Sequence, residues 1–416
     1  MRRLLIIVAL IACGAVLAVV LLLRGEPSAA QELPKLGHAN TDSAATRGLA
    51  DPLGRFGVDL LAREAALTGD NVVVSPASLH AALSMLLNGA DGETAAEMRS
   101  ALQLDGLTPA AVNQGWADLI TTAQYGKNPE LQIADSLWLK KGVPFVPAFL
   151  DLNRDYFAAD VDELQPDPVT AADEINAWVE ERTAGKIKQL ISPEMLTPDT
   201  LLTLVNTIHL KVRWEHFDKK DTQPQPFTLA SGEQVDVPMM QSWLEARAAS
   251  TASFDAVCLT TDGPADVWVI VPKADQTPET VLKSMQSGNG LAWLTANAAK
   301  NQGSVVLPRL SLKYTAKALK EDMKAAGMRR AFDPDLAEFP GVADVQPLYV
   351  EAIVQKATLD MNEEGVEAAA ATGITVGTTA APANPFTVRA DRPYLIVISE
   401  RRSAAPLFMA LIRDPR

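Results

Sequence analysis

The stretch Glu363–Val388 reads EEGVEAAAATGITVGTTAAPANPFTV and predicts more about the fold than any other part of the chain. It carries no charge after Glu367 and no proline before Pro382. Every second residue from Val366 to Thr378 is small or apolar, which is typical of a strand with one face toward a core. Its many alanines and glycines are equally typical of an exposed loop. The segment therefore combines features of a loop and of a latent central strand, and a flexible linker is the alternative interpretation.

The composition is that of an ordinary globular protein with an acidic balance. The chain has 416 residues, of which 48% are hydrophobic and 21% charged, and its formal net charge is −14. This length allows one large domain or several smaller ones. Beyond the N-terminus, lysines and arginines cluster only as scattered doublets, whereas nucleic acid and other polyanions bind to a concentrated basic face. Nucleic acid and heparin are therefore not expected as partners.

The N-terminus is typical of an exported protein. Leu4–Leu23 contains no strongly polar side chain, and at ~1.5 Å per residue a helix of this length spans roughly 30 Å, the thickness of a bilayer core. Because Arg2 and Arg3 precede this run, the N-terminus is expected to stay in the cytoplasm and the rest of the chain to lie outside. We predict a transmembrane signal-anchor or a signal peptide over residues 1–24. The predicted localisation is extracytoplasmic, either anchored to the cell membrane or secreted.

Three ways of processing this segment remain open. The apolar run is retained as an anchor, cleaved at Ser28-Ala29-Ala30, or lipidated at Cys13, since Leu10–Cys13 resembles a bacterial lipobox. All three export the remainder, and the lipobox-like start suggests a bacterial source. Residues 25–47, rich in Pro, Ala, Ser, Asn and Thr, are predicted to be a flexible tether. Because no long linker or repeat follows, residues 48–416 are predicted to form one domain.

Helical and strand patterns alternate irregularly along this domain. Helices are predicted at Pro52–Thr68, Ser78–Leu87, Pro168–Arg182 and Tyr314–Ala326. Strands are predicted at Asn71–Ser75, Leu201–Leu210, Ala256–Thr260, Val267–Val271, Ser304–Leu312, Pro393–Ser399 and Pro406–Ile412. Doubly wound nucleotide-binding folds alternate strands and helices regularly, which this chain does not do. The pattern predicts an α+β fold with large, mainly antiparallel sheets.

The sequence lacks the common signatures of catalysis and metal binding. Its four histidines have no metal-ligand spacing such as HExxH, and it contains no G-x-S-x-G, GxxxxGK[ST] or GxGxxG motif. We expect neither a cofactor nor a metal site, and an enzyme is the weaker alternative. Of the two cysteines, Cys13 falls in the N-terminal apolar run and Cys258 in another apolar run. No disulfide is expected, and Cys258 is predicted to be a buried small hydrophobe.

Several motifs, in the same order along the chain, resemble those of the serpin family over essentially all of Leu49–Arg416. The similar segments are Asn71–Met98 (NVVVSPASLHAALSMLLNGADGETAAEM), Asn176–Ile187 (N-x-W-V…T-x-G-K-I), Leu204–Glu215 (LVNTIHLKVRWE), Phe227, Val237–Met240, Leu307–Arg309, Leu319, Gly327-Met328, Phe332, Phe339, Gly341-Val342, Asn362–Thr372, Arg392–Tyr394 and Pro406–Met409. Any one of these motifs is weak, but so many in order are specific.

This resemblance implies a fold of three β-sheets, A, B and C, surrounded by eight to nine α-helices, with an exposed reactive-centre loop at residues 363–388. It also implies a metastable inhibitor of a serine or cysteine protease that acts as a suicide substrate. The protease attacks the loop and forms an acyl-enzyme. The freed loop then enters sheet A as a central strand and distorts the protease. The expected partner is a protease in a covalent 1:1 complex with a monomeric chain.

The resemblance assigns the hinge of this loop to Glu363, Glu364, Gly365, Val366, Glu367, Ala368, Ala369, Ala370, Ala371 and Thr372. The usual family spacing from Glu363, and a second count back from Pro393, place the reactive bond at Thr379–Ala380, with Thr378–Thr379 as the next candidate. A small neutral residue before the bond suits elastase-like or subtilisin-like proteases and excludes a trypsin-like preference. A charge or proline at Ala368 or Ala370 is predicted to convert the inhibitor into a substrate.

The resemblance also assigns positions around the sheet that must open. Ser75, Ser78 and Asn206 match positions that bridge the parting strands, and Trp214 matches the aromatic residue where the loop enters. Glu363 and Arg309 match an ion pair at the same place, which we expect to be partly buried and weakly stabilising. The departures from the family pattern are Val366, Gln355, Val212 and Ala410. Gln355 replaces a histidine under the main sheet, so we expect hydrogen bonding there without a pH response.

Two functions from different classes are compatible with this resemblance. Non-inhibitory members of the family act as extracellular chaperones, carriers or interaction proteins, and they usually have charged, bulky or proline residues in the hinge. Here only Val366 departs from the inhibitory pattern. The basic helix that binds heparin in some members has no counterpart around Asn113–Lys127, so no polyanion activation is expected. A serine-type endopeptidase inhibitor is the prediction, and a non-inhibitory serpin is the alternative.

Overall fold

The computed structural model describes residues 44–123, 131–197, 200–210, 212–287, 290–366 and 384–416. These residues all belong to one compact unit, Leu36–Arg416. Their α-helices are α1 (Ala44–Ala66), α2 (Pro76–Leu87), α3 (Gly92–Ala101), α4 (Pro109–Ala123), α5 (Pro147–Phe157), α6 (Pro168–Arg182), α7 (Pro278–Ser287), α8 (Gly290–Asn297) and α9 (Leu319–Ala325). Short 3-10 turns occur at Pro193–Met195, Lys219–Asp221 and Arg330–Phe332.

None of these helices combines the length and the apolar character that crossing a bilayer requires. This finding concerns only the described residues. The predicted span Leu4–Leu23, its processing sites and the part of the predicted tether 25–47 that precedes residue 44 lie outside them. Residues 44–47, predicted to be tether, form the start of α1 instead.

The strands of the described residues form three hydrogen-bonded sheets. They are β1 (Val72–Val74), β2 (Leu131–Lys140), β3 (Asp160–Leu164), β4 (Leu202–Leu210), β5 (Val212–Arg213), β6 (Gln223–Thr228), β7 (Gln234–Ser250), β8 (Phe254–Thr260), β9 (Ala265–Pro272), β10 (Ala299–Pro308), β11 (Leu310–Thr315), β12 (Lys356–Asn362), β13 (Gly365–Val366), β14 (Phe386–Arg389), β15 (Tyr394–Glu400) and β16 (Pro406–Ile412). The largest sheet has the order β1-β16-β15-β9-β8-β7-β10-β14, with β6 paired to β7. The other two are β11-β12-β13-β5 and β3-β2-β4. The predicted α+β fold with mainly antiparallel pairing is confirmed.

The largest sheet forms the centre of the core. Its strands β9, β15 and β16 are buried along their whole length, as is typical of strands covered on both faces. Helix α1 packs against β16 and α7 and covers one side. Each fully buried aliphatic side chain contributes roughly 1.5–3 kcal/mol, so these apolar strands stabilise the scaffold that carries the remaining two sheets.

Two helices begin with a capping side chain followed by a proline. Ser75 ends the segment after β1, and its Oγ accepts a hydrogen bond from the backbone N–H of Ser78 at 3.2 Å, while Pro76 occupies the first turn of α2. Asp167 caps α6 in the same way, accepting from the N–H of Thr170 at 2.9 Å. The predicted helix Pro168–Arg182 is α6. These caps fix where α2 and α6 start.

The two smaller sheets, β11-β12-β13-β5 and β3-β2-β4, together correspond to sheet A of the family resemblance. We call them the main sheet, which is distinct from the largest sheet described above. Strands β4 and β5 are consecutive segments of chain, on either side of residue 211, but each belongs to a different sheet. Strand β13 lies between β12 and β5 and pairs antiparallel with both. In the described residues, β4 pairs only with β2, and no strand pairing joins it to β12. The main sheet is therefore closed at the end formed by β13, which we call its top, and open below.

Three predicted elements differ from the structure. The helix predicted at Pro52–Thr68 is α1, which begins eight residues earlier, at Ala44, and has Pro52 in its interior. Ser304–Leu312 is divided between two strands, β10 and β11, instead of one. The predicted helix Tyr314–Ala326 is wrong at its start, because Tyr314 lies in β11 and α9 begins only at Leu319. Tyr314 donates its hydroxyl to the buried carboxylate of Glu64 at 2.5 Å, and β11 alternates buried and exposed positions against β12. These tertiary contacts outweigh the local helical pattern.

Candidate functional site

A cavity lies below the closed top of the main sheet, where β4 and β12 are not paired. Its volume is about 510 Å³. It is lined by apolar side chains of α2, by Leu202–Asn206 of β4, and by the segment 345–355 that leads into β12. Protein interiors are close-packed and contain few voids larger than a water molecule. A chain segment that filled this space would therefore gain contacts that the native fold lacks.

The chain turns tightly from β12 into β13 at the top of this cavity. Gly365 has a φ of +127°, a backbone conformation that glycine adopts readily and other residues do not. Val366, the next residue, pairs with Met361 on one side and with Val212 on the other. The first residues of the predicted loop strand therefore have sheet neighbours on both sides.

Glu363 is enclosed within this turn and forms an ion pair. Arg309 donates from Nε to the two carboxylate oxygens at 2.8 and 2.9 Å and from Nη2 at 2.5 Å, and the hydroxyl of Thr222 donates to the same carboxylate at 2.5 Å. The side chain of Glu363 is 2% exposed and that of Arg309 is 41% exposed. Burial works to raise the pKa of Glu363, but the hydrogen bonds from Arg309 and Thr222 outweigh it and hold the pKa below its ordinary value. The acid is more enclosed than the sequence predicted, so removal of Arg309 would leave a buried carboxylate without its guanidinium, which is costly.

Trp214 supports the same turn from the side of β5. Its indole Nε1 donates to the carbonyl of Asn362 at 2.9 Å, and its backbone N–H donates to the carbonyl of Glu364 at 3.4 Å. The indole is buried and packs edge-on against Phe217, with 5.6 Å between ring centroids. Lys219 forms an ion pair with the carboxylate of Glu364. The aromatic residue thus holds the hinge turn against the strand that follows β4.

Ser75 and Gln355 meet at the lower end of the open sheet. The side-chain amide of Gln355 accepts from the backbone N–H of Ser75 at 2.9 Å and donates to the carbonyl of Ser75 at 2.8 Å. The hydroxyl of Ser75 donates to the carbonyl of Leu407 in β16 at 2.7 Å. The amide of Gln355 thus ties the segment before β12 to the start of α2. Because an amide does not titrate, these two hydrogen bonds are independent of pH.

Asp135 is part of the site that the sequence did not reveal. It lies opposite Asn206 in the antiparallel pairing of β2 with β4, and the amide Nδ2 of Asn206 donates to its Oδ1 at 2.6 Å. Within the described residues, neither Asp135 Oδ2 nor Asn206 Oδ1 has a hydrogen-bond partner. Burial raises the pKa of Asp135 to about 7, opposed by the hydrogen bond from Asn206 and reinforced by the negative charge of Asp160. A lone carboxylate inside the apolar strand Leu131–Lys140 was the available signal.

The structure brings some of the predicted residues together and separates others. Ser75 and Gln355 are in contact, and Ser78, Gln355 and Asn206 all line the cavity. Asn206, however, bonds to β2, and no described hydrogen bond of these residues joins β4 to β12. The bridging role of these side chains therefore stays a prediction. Glu367–Thr372 and the bond Thr379–Ala380 lie outside the described residues.

The remaining reactive side chains are engaged in the scaffold. Cys258 is buried as predicted, and burial raises the pKa of its thiol to about 12. His80 is fully enclosed, with Nε2 3.0 Å from the carbonyl of Leu102 and Nδ1 3.1 Å from the hydroxyl of Ser84. Burial lowers the pKa of this imidazole to about 4. Over the part of the chain that the structure describes, no group of His, Cys, Asp and Glu side chains is arranged to hold a metal ion.

Comparison with known proteins identifies the family. The sequence profile described as serpin (serine protease inhibitor) matches residues 52–415. The chain belongs to the serpin family. This serpin is 30% identical over 380 residues to a serpin-like protein of Thermococcus kodakarensis, covering 88% of this chain and 86% of that protein. It is 31% identical over 378 residues to the leukocyte elastase inhibitor of Bos taurus, covering 87% of this chain and 98% of that protein.

Solved serpin structures have the same fold. A structure of cleaved serpin 42Da matches with a TM-score of 0.80 and 25% identity over 89% of this chain and 99% of that one. A complex of thyroxine-binding globulin with thyroxine matches with a TM-score of 0.75 and 26% identity over 89% and 99% of the two chains. The fold predicted from the family resemblance is confirmed. Relatives of about equal identity come from an archaeon and from mammals, so these matches do not indicate a bacterial source.

Family membership supports a general function. Serpins are in general protease inhibitors and not proteases, which agrees with the prediction that this serpin is not an enzyme. The structural match to a complex of thyroxine-binding globulin with thyroxine shows that the same fold also binds a small molecule. The serpin fold by itself therefore does not distinguish a protease inhibitor from a protein that binds a small molecule.

Proposed function

We propose that this serpin inhibits a serine endopeptidase as a suicide substrate. The protease serine attacks the carbonyl of Thr379, the peptide bond to Ala380 breaks, and an acyl ester joins the two proteins in a 1:1 complex. The new chain end is then free to enter the open main sheet as a strand between β12 and the β4–β5 segment. Insertion moves the acylated protease away from its docking position and distorts it before water can hydrolyse the ester.

The pairing of Val366 is the observation that supports this mechanism most directly. The residue lies between Met361 and Val212, so the entry point of a new strand exists in the native fold. Below it, the cavity of about 510 Å³ separates β4 from the chain leading into β12. A strand extended from Glu363 to Thr379 is ~55 Å long at ~3.3 Å per residue. As this strand extends beyond Val366, its backbone would form hydrogen bonds with the strands on both sides, and its side chains would fill the cavity.

The loop sequence suits this insertion. Continuing from Val366 with a period of two, the residues from Ala368 to Thr378 that would face the core carry no charge. The hinge also has no proline, so every backbone N–H needed by the ladder is present. These features favour inhibition over the alternative of an extracellular carrier or chaperone, for which insertion is not required.

The target that we propose has an elastase-like or subtilisin-like specificity. Thr379 presents a small, neutral side chain to the pocket that selects the residue before the cleaved bond, and Thr378–Thr379 is the next candidate bond. The similarity to a protein named leukocyte elastase inhibitor supports this choice. We further propose that the domain acts outside the cytoplasm, anchored or secreted, because Leu4–Leu23 is apolar and follows two arginines.

Incubation of the chain with pancreatic elastase tests this proposal. We expect a covalent complex that survives denaturing electrophoresis, together with some cleaved serpin. Cleaved serpin separated from the protease is expected to melt at a higher temperature than the native form, because the inserted strand fills the cavity. Cleavage without any complex, and without a rise in melting temperature, would contradict the proposal and favour the carrier function.

A pair of matched variants distinguishes insertion from simple recognition of the loop. Ala370→Asp places a carboxylate on the face that inserts into the core, where burying an unpaired charge costs several kcal/mol. We expect this variant to be cleaved without forming a complex. Ala383→Asp introduces the same charge after the reactive bond, in a part of the loop that does not insert, and is expected to retain complex formation. Equal behaviour of the two variants would argue against strand insertion.

A further inference from the structure

The carboxylate of Glu64 is fully buried on α1 and joins this helix to a segment that is distant in sequence. It accepts a hydrogen bond from the hydroxyl of Tyr314, in β11, at 2.5 Å. The backbone N–H of Lys317 donates to both carboxylate oxygens at 3.1 Å, and the N–H of Ala318 donates to Oε1 at 3.1 Å. This one side chain therefore holds the turn between β11 and α9 against α1.

Glu64 also supports the start of α9, although it belongs to another helix. Ala318, at the cap position of α9, makes no side-chain capping hydrogen bond. In a capping box, a glutamate of the helix itself accepts the N–H of the cap residue, and here Glu64 accepts it from α1. Because three donors point at its carboxylate, Glu64 is a hydrogen-bond acceptor in this cluster.

Asp322 faces Glu64 from the first turn of α9. Its side chain forms a hydrogen bond with that of Glu64, and the residue is 7% exposed. Within the described part of the chain, its Oδ2 has no hydrogen-bond partner. Two carboxyl groups form a hydrogen bond with each other only when one of them holds a proton. Because Glu64 is the acceptor, Asp322 is the group that holds the proton.

Two other titratable side chains, Arg63 and Tyr314, act on this pair. Burial and the negative charge of Glu64 raise the pKa of Asp322 to about 7, and the positive charge of Arg63 opposes this rise only in part. Burial and the hydrogen bond to Glu64 raise the pKa of Tyr314, so its hydroxyl keeps its proton and remains a donor. Other charged side chains on the surrounding elements are engaged with one another or with a carbonyl: Asp70 with Lys317, Glu321 with Lys324, Arg413 with Glu279, and Lys320 with the carbonyl of Glu351.

We propose that Asp322 and Glu64 form a proton-held junction between α9 and α1. In mildly acidic solution Asp322 donates its proton to the carboxylate of Glu64, so the pair carries a single negative charge. When that proton is lost at higher pH, two like charges face each other in a buried place, and α9 separates more readily from α1. Since β11 is hydrogen-bonded to β12, the junction anchors that half of the main sheet to the scaffold. This inference does not depend on the proposed inhibitory function.

The direction of the pH effect follows from the protons bound in each state. Between pH 3.8 and about 7, native Asp322 holds a proton that the opened chain has lost, so the native state binds more protons and the junction weakens as pH rises. The equilibrium constant for opening rises about tenfold between pH 6 and pH 8 because of this one group. Asp322→Asn retains an N–H donor toward Glu64 and does not ionise, so it lacks this rise.

Hydrogen exchange of the full chain tests the junction, because the backbone N–H groups of Lys317 and Ala318 donate to Glu64. Protection factors are measured for peptides that cover residues 314–326 and are corrected for the intrinsic pH dependence of amide exchange. Between pH 6 and pH 8, we expect them to fall about tenfold more in the wild type than in Asp322→Asn. Asp135 titrates in the same range, but it is present in both proteins, so its effect cancels.

Glu321→Gln is the matched control, because it neutralises an exposed carboxylate in the same turn of α9 and should follow the wild type. Glu64→Gln is a second test should Asp322→Asn fail to fold. A glutamine there still accepts the N–H groups of the turn, but it lacks the charge that retains the proton on Asp322. The fall in protection should therefore be smaller in Glu64→Gln than in the wild type.

Three outcomes would overturn the proposal. The first is an equal fall in the wild type and Asp322→Asn, or in the wild type and Glu64→Gln. The second is a fall that Glu321→Gln removes to the same extent, since surface charge would then be its cause. The third is a wild type whose protection over residues 314–326 does not change between pH 6 and pH 8, which refutes the junction without any variant.

Discussion

Replacement of Asp135 by asparagine is expected to remove a pH-dependent weakness in the main sheet. In the native fold, Asp135 is 1% exposed and accepts one hydrogen bond from Asn206 across the β2–β4 pair. Its Oδ2 and the Oδ1 of Asn206 are two acceptors without a donor among the described residues. A proton on Asp135 supplies the missing donor, and so does the amide of asparagine. Asp135→Asn therefore provides at every pH the hydrogen-bond donor that the wild type has only when Asp135 is protonated.

The size of the effect follows from the pKa of Asp135, which rises from 3.8 to about 7 on folding. Between these pH values the native state holds a proton that the unfolded chain has lost, so the native state binds more protons and the free energy of unfolding falls as pH rises. The total loss is about 4 kcal/mol, from 1.36 kcal/mol per pKa unit. Most of this loss, roughly 2–3 kcal/mol, falls between pH 5 and pH 8. The asparagine variant does not ionise and lacks this loss.

Urea unfolding at pH 5 and pH 8 measures this difference. We expect the variant to be more stable than the wild type at pH 8, and this advantage to shrink by roughly 2–3 kcal/mol at pH 5. Glu163→Gln, which neutralises an exposed carboxylate on the adjacent strand β3, serves as the control and should follow the wild type at both pH values. Equal pH dependence of Asp135→Asn and wild type would show that Asp135 is ionised in the native state, and the reasoning would be wrong.

Three other changes test the hinge and the scaffold. Arg309→Leu leaves the enclosed carboxylate of Glu363 without its guanidinium, and we expect about 1–3 kcal/mol of destabilisation at pH 7 in urea unfolding, largely restored by adding Glu363→Gln. A loss that the second change does not reduce would contradict the pairing. Gln355→Ala removes both hydrogen bonds to the backbone of Ser75 and is expected to lower the melting temperature, whereas Gln355→Glu at low pH should lower it less; an unchanged melting temperature in Gln355→Ala would refute the role. Burial lowers the pKa of His80 from 6.5 to about 4 in the native state. Between these pH values the unfolded chain binds a proton that the native state does not bind. The free energy of unfolding should therefore fall by up to about 3 kcal/mol as pH drops from 6.5 to 4. His80→Gln should show less of this fall, and an equal fall would place the acid sensitivity elsewhere.

Local sequence signals predicted the elements whose boundaries depend on local chemistry. Pro168 predicted the start of α6 because proline geometry is decided within one helical turn, whereas the predicted helix Ser78–Leu87 begins two residues earlier, at Pro76. The buried strands β15 and β16 were predicted from their unbroken apolar runs. Tyr314 was assigned to a helix because its hydrogen bond to Glu64 joins residues that are distant in sequence, and no local pattern reports such a contact.

Some contacts of the site were predicted and others were missed, because contacts between residues distant in sequence leave no local pattern. The pairing of Glu363 with Arg309 followed from a family pattern, but its depth of burial depends on Thr222 and Trp214, which approach from other strands. Asp135 went unnoticed because its pKa is raised by burial opposite Asn206, and burial is a property of the packed sheet. An aspartate in an apolar run is visible in the sequence, whereas its lack of a donor is not.

The family, the α+β class and the small, uncharged face of the reactive loop are predictable from the sequence, because they depend on residue type and order along the chain. The packed fold, in contrast, sets the closure of the main sheet at Val366 and its opening below, where a cavity of about 510 Å³ lies between β4 and the segment leading into β12. Strand pairing joins residues far apart in sequence, and it depends on which hydrogen bonds the whole fold can form at once. The sequence therefore predicts a strand that can insert, and the packed fold provides the place for it.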